Sequence, residues 1–550
     1  MTHDPEDALT INLNALRSAD RARTPEAGHS EFIEELNASA AGIRLTVRMS
    51  TSGHAVPEIV TDDGSYTLHS RYDPLKEAER ALGNAPAVGT VCIFGLGFGY
   101  HVRRALKEPG FVRIIVVCEP LDIVKNALSH ADFQSLFSDP RLHLVSSRSE
   151  AHIADAVPRI HVPYFSTRLS TVHLPTFVRV FPDEFERFRR GMERSFQTIG
   201  DDLTTQIRYA RAWFRNILLN SISAHKTRPM TLPDNQPVTI VAAGPSLERH
   251  TEHISESRDF ILVCDTAAPT LNQSGIKQAA VLSIDPSVYS YHHLMNGYPE
   301  GAQSILDAGV HPAVWRGAPG RTGVVSAHPL VHLMSPVFDH LPRVQFASDV
   351  AYAAVWIAKS RGMDPVTVIG ADYRWTSGKP YARSTYIPEL FLGTSSRVST
   401  NEALTIDFMF ATHPHLNRDV NGDYRVAAFD GRRSALQMLL QTPVRSLAQV
   451  PHRIRPPSAP NRLPDVLNRL GSLIRSLPKA GDNEPEHYFR SLDSDQQTAA
   501  FIIAPLAARL SRSLSNNEPD IGLMDRFDEA KANAIQLVEH VHSLSVSRIL

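Results

Sequence analysis

The sequence predicts an α/β protein in which two doubly wound parallel-sheet domains follow one another and a helical region closes the chain. Three observations predict it. Short apolar runs alternate with helical stretches over residues 90–145 and again over residues 238–369, the pattern of strands joined by crossover helices. Between the two series, Ile199, Leu203, Ile207, Ala210, Phe214 and Ile217 recur every three or four residues, the buried stripe of one long helix. Near the end, Leu523, Phe527, Ala530, Ala534, Leu537 and Val541 keep a four-three alternation with no strand signal.

Taken in order, residues 1–85 predict an N-terminal helix and a small β region, where the stretch 42–47 alternates apolar with polar. Residues 86–195 predict a Rossmann-like α/β domain. Its first strand, 91–94, ends in Gly95-Leu96-Gly97-Phe98-Gly99, a helix follows over 100–107, and further strands are expected at 112–117 and 142–145. Residues 196–236 are the connecting helix and a linker with three prolines between 225 and 237. The central domain, 237–450, has strands expected at 238–243, 260–264, 279–284, 313–315 and 366–369, apolar enough to be buried on both faces. A Pro- and Arg-rich linker at 452–464 then opens a C-terminal helical domain, 451–550.

Composition narrows the function. With 550 residues against about 100–200 per domain, two to four domains are expected. An apolar fraction of 42% with 21% charged residues is ordinary globular usage. The net charge of −2 creates no global positive field, so neither nucleic acid nor an anionic membrane is an expected partner. Cys92, Cys118 and Cys264 each lie inside an apolar run, which predicts reduced, buried thiols rather than disulfides or a metal site. The N-terminus lacks a basic region followed by an apolar segment, and no eighteen apolar residues run together. A cytoplasmic protein without membrane insertion is therefore expected.

Ligands of open α/β sheets bind outside the carboxyl ends of the strands, so the residues just after each run are the candidates. Gly95, Gly97 and Gly99 close a strand and open a helix, where backbone N–H groups could receive a nucleotide or S-adenosylmethionine, and Glu119 after the next strand stands where a ribose-binding acid would. The spacing is G-x-G-x-G rather than the full dinucleotide fingerprint, so a tight strand-to-helix junction is the alternative. Gly244-Pro245-Ser246 follows the next series' first strand: glycine for the sharp turn, proline at a first helical position, and N–H groups free to cradle an anion. A plain N-cap would look the same. Asp265-Thr266 and Ser283-Ile284-Asp285 end the following two strands, so three successive strands deliver polar groups to one edge. Ser348-Asp349 cap a helix over 350–360. A last strand ends in Gly370-Ala371-Asp372-Tyr373-Arg374, and Lys379 and Tyr381 follow. Arg374, Lys379 and the two tyrosines could grip a phosphate and steady a leaving group.

These residues, in order and spacing, resemble the motility accessory factor family, bacterial enzymes that glycosylate flagellin with nonulosonic acids. Gly244-Pro245-Ser246-Leu247, Ser283-Ile284-Asp285, the helix at 350–360 and Gly370-Ala371-Asp372-Tyr373 with Ser377-Gly378-Lys379 look like its central domain. The Gly95 to Tyr100 turn and Glu119-Pro120 resemble its N-terminal domain, and the likeness spans roughly residues 10–445. The segment from Gly244 and the Gly370 loop also look like the bacterial family 42 sialyltransferases.

That resemblance implies a sialyltransferase-like central domain that binds a CMP-activated nonulosonic acid, such as pseudaminic or legionaminic acid, and transfers it to Ser or Thr of flagellin with inversion and no obligatory metal. Carried over by position, Gly244, Pro245, Ser246 and Asp265 would hold the nucleotide. Ser348 and Asp349 would lie by phosphate or sugar carboxylate, and Tyr373 and Tyr381 would contact the leaving phosphate. This chain has Pro380-Tyr381 where many members place a His after the Gly-Lys pair, and Asp372-Tyr373 where they often have Asp-Leu. His413, downstream of the Asp372 loop, falls where such a transferase would hold its base. The central domain also resembles 6-hydroxymethylpterin pyrophosphokinases, which implies diphosphate transfer from ATP with Mg²⁺ as the alternative. A non-catalytic flagellin-binding assembly factor is a third reading.

Overall fold

The computed structural model of the chain describes residues 5–21, 30–39, 45–441, 462–513 and 523–547, less positions 62–63, 84–86, 167, 229, 231, 296–297, 327, 345–348, 377, 413–415 and 482. The fold is α/β with parallel sheets, and it divides into two compact units. One comprises Met1–Arg208 and Leu477–Ala530, the other Tyr209–Ser476 and Lys531–Leu550.

The first unit begins with helices and a small antiparallel sheet of β1 (Leu45–Met49), β2 (Ala55–Thr61) and β3 (Gly64–Thr67). Its parallel sheet contains β4 (Gly89–Phe94), β5 (Phe111–Cys118), β6 (Leu142–Ser146) and β7 (Leu169–His173), in the order β6-β5-β4-β7. Every residue of β4 is buried, as expected of a strand covered on both faces, and that is why its residues 91–94 read as an apolar run. The short helix Pro485–Ser491 belongs to this unit, where Phe489 stacks on Phe165 with ring centroids 4.8 Å apart.

The second unit is built on six parallel strands: β8 (Val238–Val241), β9 (Phe260–Cys264), β10 (Ala280–Ser283), β11 (Gln303–Asp307), β12 (Thr322–Val324) and β13 (Val366–Ile369). Their order is β12-β11-β10-β9-β8-β13. The chain steps outward from β8 to β12 and then returns to the other side of β8, so the direction of winding reverses between β8 and β13. Such a switch point opens a crevice at the carboxyl ends of the two strands. The helix Val350–Ser360 lies against this sheet with its alanines, Val355 and Ile357 buried, capped at its start by Asp349. Lys359 Nζ donates to the carbonyls of Leu439 and Leu440 at 2.7 and 2.8 Å, satisfying the end of the helix Ala427–Gln441.

The connecting helix runs over Pro182–Ser221, starting earlier than the apolar stripe suggests because Pro182 supplies a first-turn φ and Asp183 and Glu184 suit its positive end. One turn apart near its other end, Asn216 and Asn220 each donate twice into the second unit's loops. Asn216 Nδ2 reaches the carbonyls of Pro286 (2.8 Å) and Gly309 (3.0 Å), and Asn220 Nδ2 reaches those of Ala308 and Val310 (2.9 Å each).

One strand expectation is corrected. Residues 313–315, read as a strand, lie in the helix Pro312–Gly317, which His311 caps and Pro312 opens, while β11 and β12 supply the strands of that region. A three-residue apolar run does not distinguish strand from helix, and the proline was the better guide. Of the C-terminal helices, Pro485–Ser491 and Ser494–Ser513 belong to the first unit and Arg462–Ser476 to the second. Of the expected linker at 452–464, residues 462–464 open that last helix and the rest lie outside the described residues.

Candidate functional site

At the switch point the turns after β8 and β13 lie back to back. Gly244 N–H donates to the Gly370 carbonyl at 2.7 Å, and Gly370 has φ +77°. A Cβ on Gly370 would stand 2.0 Å from the Ala242 carbonyl oxygen, and one on Gly244 2.4 Å from the Gly370 oxygen. Only glycine permits this approach. It brings Asp372 under the β8 turn, where its carboxylate receives Ser246 N–H at 2.8 Å and the Ser246 hydroxyl. The expectation of free N–H groups at Gly244-Pro245-Ser246 gives way: Gly244 N–H is taken by the Gly370 carbonyl, and the N–H and hydroxyl of Ser246 by the protein's own Asp372.

The next residue, Tyr373, adopts φ +49°, a left-handed conformation unusual for a bulky side chain, costing about 1–3 kcal/mol. Its hydroxyl donates to Asp349 Oδ2 at 2.9 Å, while Asp349 Oδ1 accepts the Tyr352 N–H at 2.9 Å. Asp349 therefore caps a helix and fixes a tyrosine with one carboxylate. Burial, then Asp349, pushes the Tyr373 phenol well above its usual range, so it stays a proton-bearing donor.

The loop that follows is fastened across the strand tips. Ala382 N–H donates to the Ala243 carbonyl at 2.8 Å, and Thr270 Oγ1 donates to the Arg383 carbonyl at 2.6 Å. The loop carries Tyr381 to the site, half-buried, its phenol raised first by burial, lowered by Arg432 and raised again by Asp285 and Asp265. Arg374 and Lys379, expected to grip a phosphate, are already compensated: Arg374 faces Asp423 at 3.6 Å and Lys379 faces Glu248 at 3.3 Å. The cation whose field reaches both Tyr373 and Tyr381 is instead Arg432, on the helix Ala427–Gln441.

The third wall comes from β9 and β10. Asp265 is buried and accepts the Ser283 hydroxyl at 2.5 Å, the Thr266 N–H at 2.8 Å and the Thr266 hydroxyl at 3.3 Å. Burial raises its carboxyl, opposed by the nearby His293. Asp285 accepts the Ser287 N–H at 2.7 Å. Thus the second unit brings Ser246, Asp265, Thr266, Ser283, Asp285, Asp349, Asp372, Tyr373 and Tyr381 to one sheet edge. Ser348 and His413 lie outside the described residues. Sequence reasoning missed His293, Tyr386 and Arg432. His293 and Tyr386 meet edge-to-face with ring centroids 4.6 Å apart, and His292 stacks on Tyr386 at 6.0 Å. A signal for the histidines was present: Tyr289-Ser290-Tyr291-His292-His293 begins six positions after the last residue of β10, in the connection where ligand-facing groups belong.

The glycine turn of the first unit has a different character. Glu119 is fully buried and accepts the N–H groups of Leu96 (2.6 Å) and Gly97 (2.8 Å), while His69 Nε2 accepts that of Phe98 (3.0 Å). A Cβ on Gly95 would lie 2.3 Å from Phe177, one on Gly97 2.5 Å from His69, and one on Gly99 3.0 Å from Leu136. The N–H groups expected to receive a nucleotide are therefore spent inside the fold. Glu119 faces inward to them rather than outward to a ribose, and the tight-junction alternative describes the observed contacts.

Comparison with known proteins bears mainly on the central unit. Residues 214–378 match the family described as 6-hydroxymethylpterin diphosphokinase MptE-like. The central unit is similar to MptE-like proteins. The matched stretch runs from the connecting helix through β13 to Gly378 and so includes the switch point. The chain is 27% identical over 168 residues to an uncharacterized protein of Treponema pallidum (strain Nichols), covering 30% of this chain and 80% of that one. A second uncharacterized protein of the same organism is 28% identical over 149 residues, covering 26% of this chain, and the chain spans about half (53%) of its length. Among solved structures, the Maf glycosyltransferase from Magnetospirillum magneticum AMB-1 aligns over 99% of this chain and 97% of its own, at 15% identity and a TM-score of 0.42.

Proposed function

We propose that this protein is a glycosyltransferase of the motility accessory factor type, transferring a nonulosonic acid from a CMP-activated donor to Ser or Thr hydroxyls of flagellin in the cytoplasm. The observation that carries the reading is the convergence at the β8/β13 switch point. Ser246, Asp372, Tyr373 and Asp349 are joined there by hydrogen bonds, and Tyr381 shares the field of Asp265 and Asp285. These are the positions at which the motif resemblance places the donor nucleotide and its leaving phosphate. In this reading Tyr381, kept protonated, donates a hydrogen bond to the departing phosphate, Tyr373 lies against it with its own O–H held by Asp349, and Arg432 offsets its charge. Displacement by the acceptor hydroxyl in one step inverts the anomeric centre. Intact-mass analysis of flagellin made with and without this protein tests it: loss of the glycan mass is expected on deletion, and an unchanged mass refutes the activity.

The match of residues 214–378 to MptE-like proteins favours a second reading, diphosphate transfer from ATP to a hydroxymethylpterin. The two separate on ligand-dependent thermal protection. CMP alone should raise the melting temperature under the first reading, whereas ATP with Mg²⁺, and not CMP, should do so under the second.

A further inference from the structure

His293 stands at the end of the short helix Tyr289–His293, beside the ends of β9 and β10. It is 7% exposed. Its Nε2 lies 3.3 Å from Thr266 Oγ1, and that hydroxyl lies 3.3 Å from Asp265 Oδ1. Asp265 accepts from Ser283 and from the Thr266 backbone as well, so its carboxylate acts only as an acceptor. With Asp265 ionised, the Thr266 hydroxyl turns its hydrogen toward Asp265 Oδ1, and its lone pairs face His293. That polarity fixes the imidazole with the proton on Nε2 and the lone pair on Nδ1. Nδ1 is buried and has no hydrogen-bond partner among the described residues. Tyr386, edge-on at 4.6 Å, holds the ring from the side. A buried imidazole oriented by a third group, with an unpaired ring nitrogen, beside the carboxyl ends of β9 and β10, has the arrangement of a general base.

We propose that His293 is the base that removes the acceptor hydroxyl proton, with Thr266 and Asp265 as its positioning residues, in place of His413. The assignment rests on the transferase reading given above. In the step, the acceptor oxygen forms a bond to the anomeric carbon of the donor as the bond from that carbon to the phosphate oxygen breaks. The electron pair leaves with CMP, and the acceptor proton passes to His293 Nδ1. The charged and titratable groups around the ring are Asp265 from the end of β9, Asp285 from the end of β10, His292 from its own helix and Tyr386 from the start of the helix Tyr386–Leu392. Burial and His292 disfavour the imidazolium while the two carboxylates favour it, with a net lowering, so the resting base is neutral at neutral pH.

The test uses the full-length protein, a CMP-activated nonulosonate and flagellin, with CMP affinity measured separately by calorimetry. His293→Gln should lower kcat at least 100-fold, leave the CMP dissociation constant within threefold, and abolish the acid limb of the pH–rate profile, which in the wild type should fall below pH 6.5. Thr266→Val keeps the ring but removes its acceptor and should lower kcat about tenfold, with rescue by Thr266→Ser. Transfer by His293→Gln within threefold of wild type, an acid limb that survives in it, or an acid limb lost in His413→Gln instead would overturn the assignment and leave the transferase reading standing. A wild-type protein that neither binds CMP nor transfers sugar removes the transferase reading, and this assignment with it.

Discussion

Gly370 offers the sharpest test of the switch point as described. A single methyl group at this position meets two separable penalties. The first is conformational: at φ +77° an L-residue with a Cβ costs about 1–2 kcal/mol. The second is steric. The new Cβ would lie 2.0 Å from the Ala242 carbonyl oxygen, and that oxygen is backbone. Neither side can retreat cheaply, because Ala242 N–H is bonded to the Ile369 carbonyl at 2.8 Å and Gly244 N–H to the Gly370 carbonyl at 2.7 Å. Relief means losing one of those bonds, about 1 kcal/mol, on top of an overpacking cost of about 1–3 kcal/mol. Gly370→Ala should therefore destabilise the second unit by about 3–6 kcal/mol. Gly275 supplies the control, since it has φ +68° but nothing within 4 Å of a built Cβ, so Gly275→Ala should cost only about 1–2 kcal/mol. All four tryptophans, Trp213, Trp315, Trp356 and Trp375, lie in the second unit, so urea unfolding followed by tryptophan fluorescence reports on it selectively. If the two variants differ by less than about 1 kcal/mol, the two turns do not meet as closely as described.

Three further outcomes are expected. Asp307 is fully buried, and burial pushes its carboxyl up to about 6, opposed by bonds from Gly309 and Ser326. Because its folded pKa exceeds its unfolded one, it contributes stability below about pH 4 that is lost as pH rises to about 6, roughly 2–3 kcal/mol at most. The same fluorescence assay at pH 4.5 and 6.5 should show this loss in the wild type relative to Asp307→Asn, and equal pH dependence in both would refute it. Asn220→Ala strands the buried carbonyls of Ala308 and Val310 and should cost roughly 2–4 kcal/mol in the same assay, with a loss below 1 kcal/mol counting against the two bonds. Glu119→Gln turns an amide N–H₂ toward the Leu96 or Gly97 N–H and should destabilise the first unit by roughly 1–3 kcal/mol without altering CMP binding. Hydrogen exchange of the Leu96 and Gly97 amides measures the first effect and calorimetry the second. A change in CMP affinity would reopen the glycine turn as a ligand site.

Much of the sheet was legible because its strands are buried on both faces and so stand out as apolar runs. The expected strands at 260–264 and 366–369 coincide with β9 and β13, and the helix expected at 350–360 is Val350–Ser360. The candidate site was legible for a related reason. Residues after strand ends at a switch point carry ligand chemistry, and Gly244, Asp265, Asp285 and Asp372 all stand there. The short run at 313–315 failed because three apolar residues hold no periodicity, and β12, itself three residues long, was missed for the same reason.

What the sequence determined by itself is the alternation of strand and helix, the glycines at the turns and the stock of polar groups delivered to one edge. These depend on neighbours a few residues away. Tertiary structure alone decided who spends those groups on whom. Asp372 fills the Ser246 turn from 126 positions along the chain, Glu119 fills the first unit's glycine turn, Asp423 and Glu248 claim the expected phosphate-binding cations, and Arg432 and His293 enter from elements that carry no motif. Hydrogen bonds and charges act over a few ångströms of space regardless of chain separation. A buried donor will take whichever acceptor the fold brings to it, and that choice is written only in the packed chain.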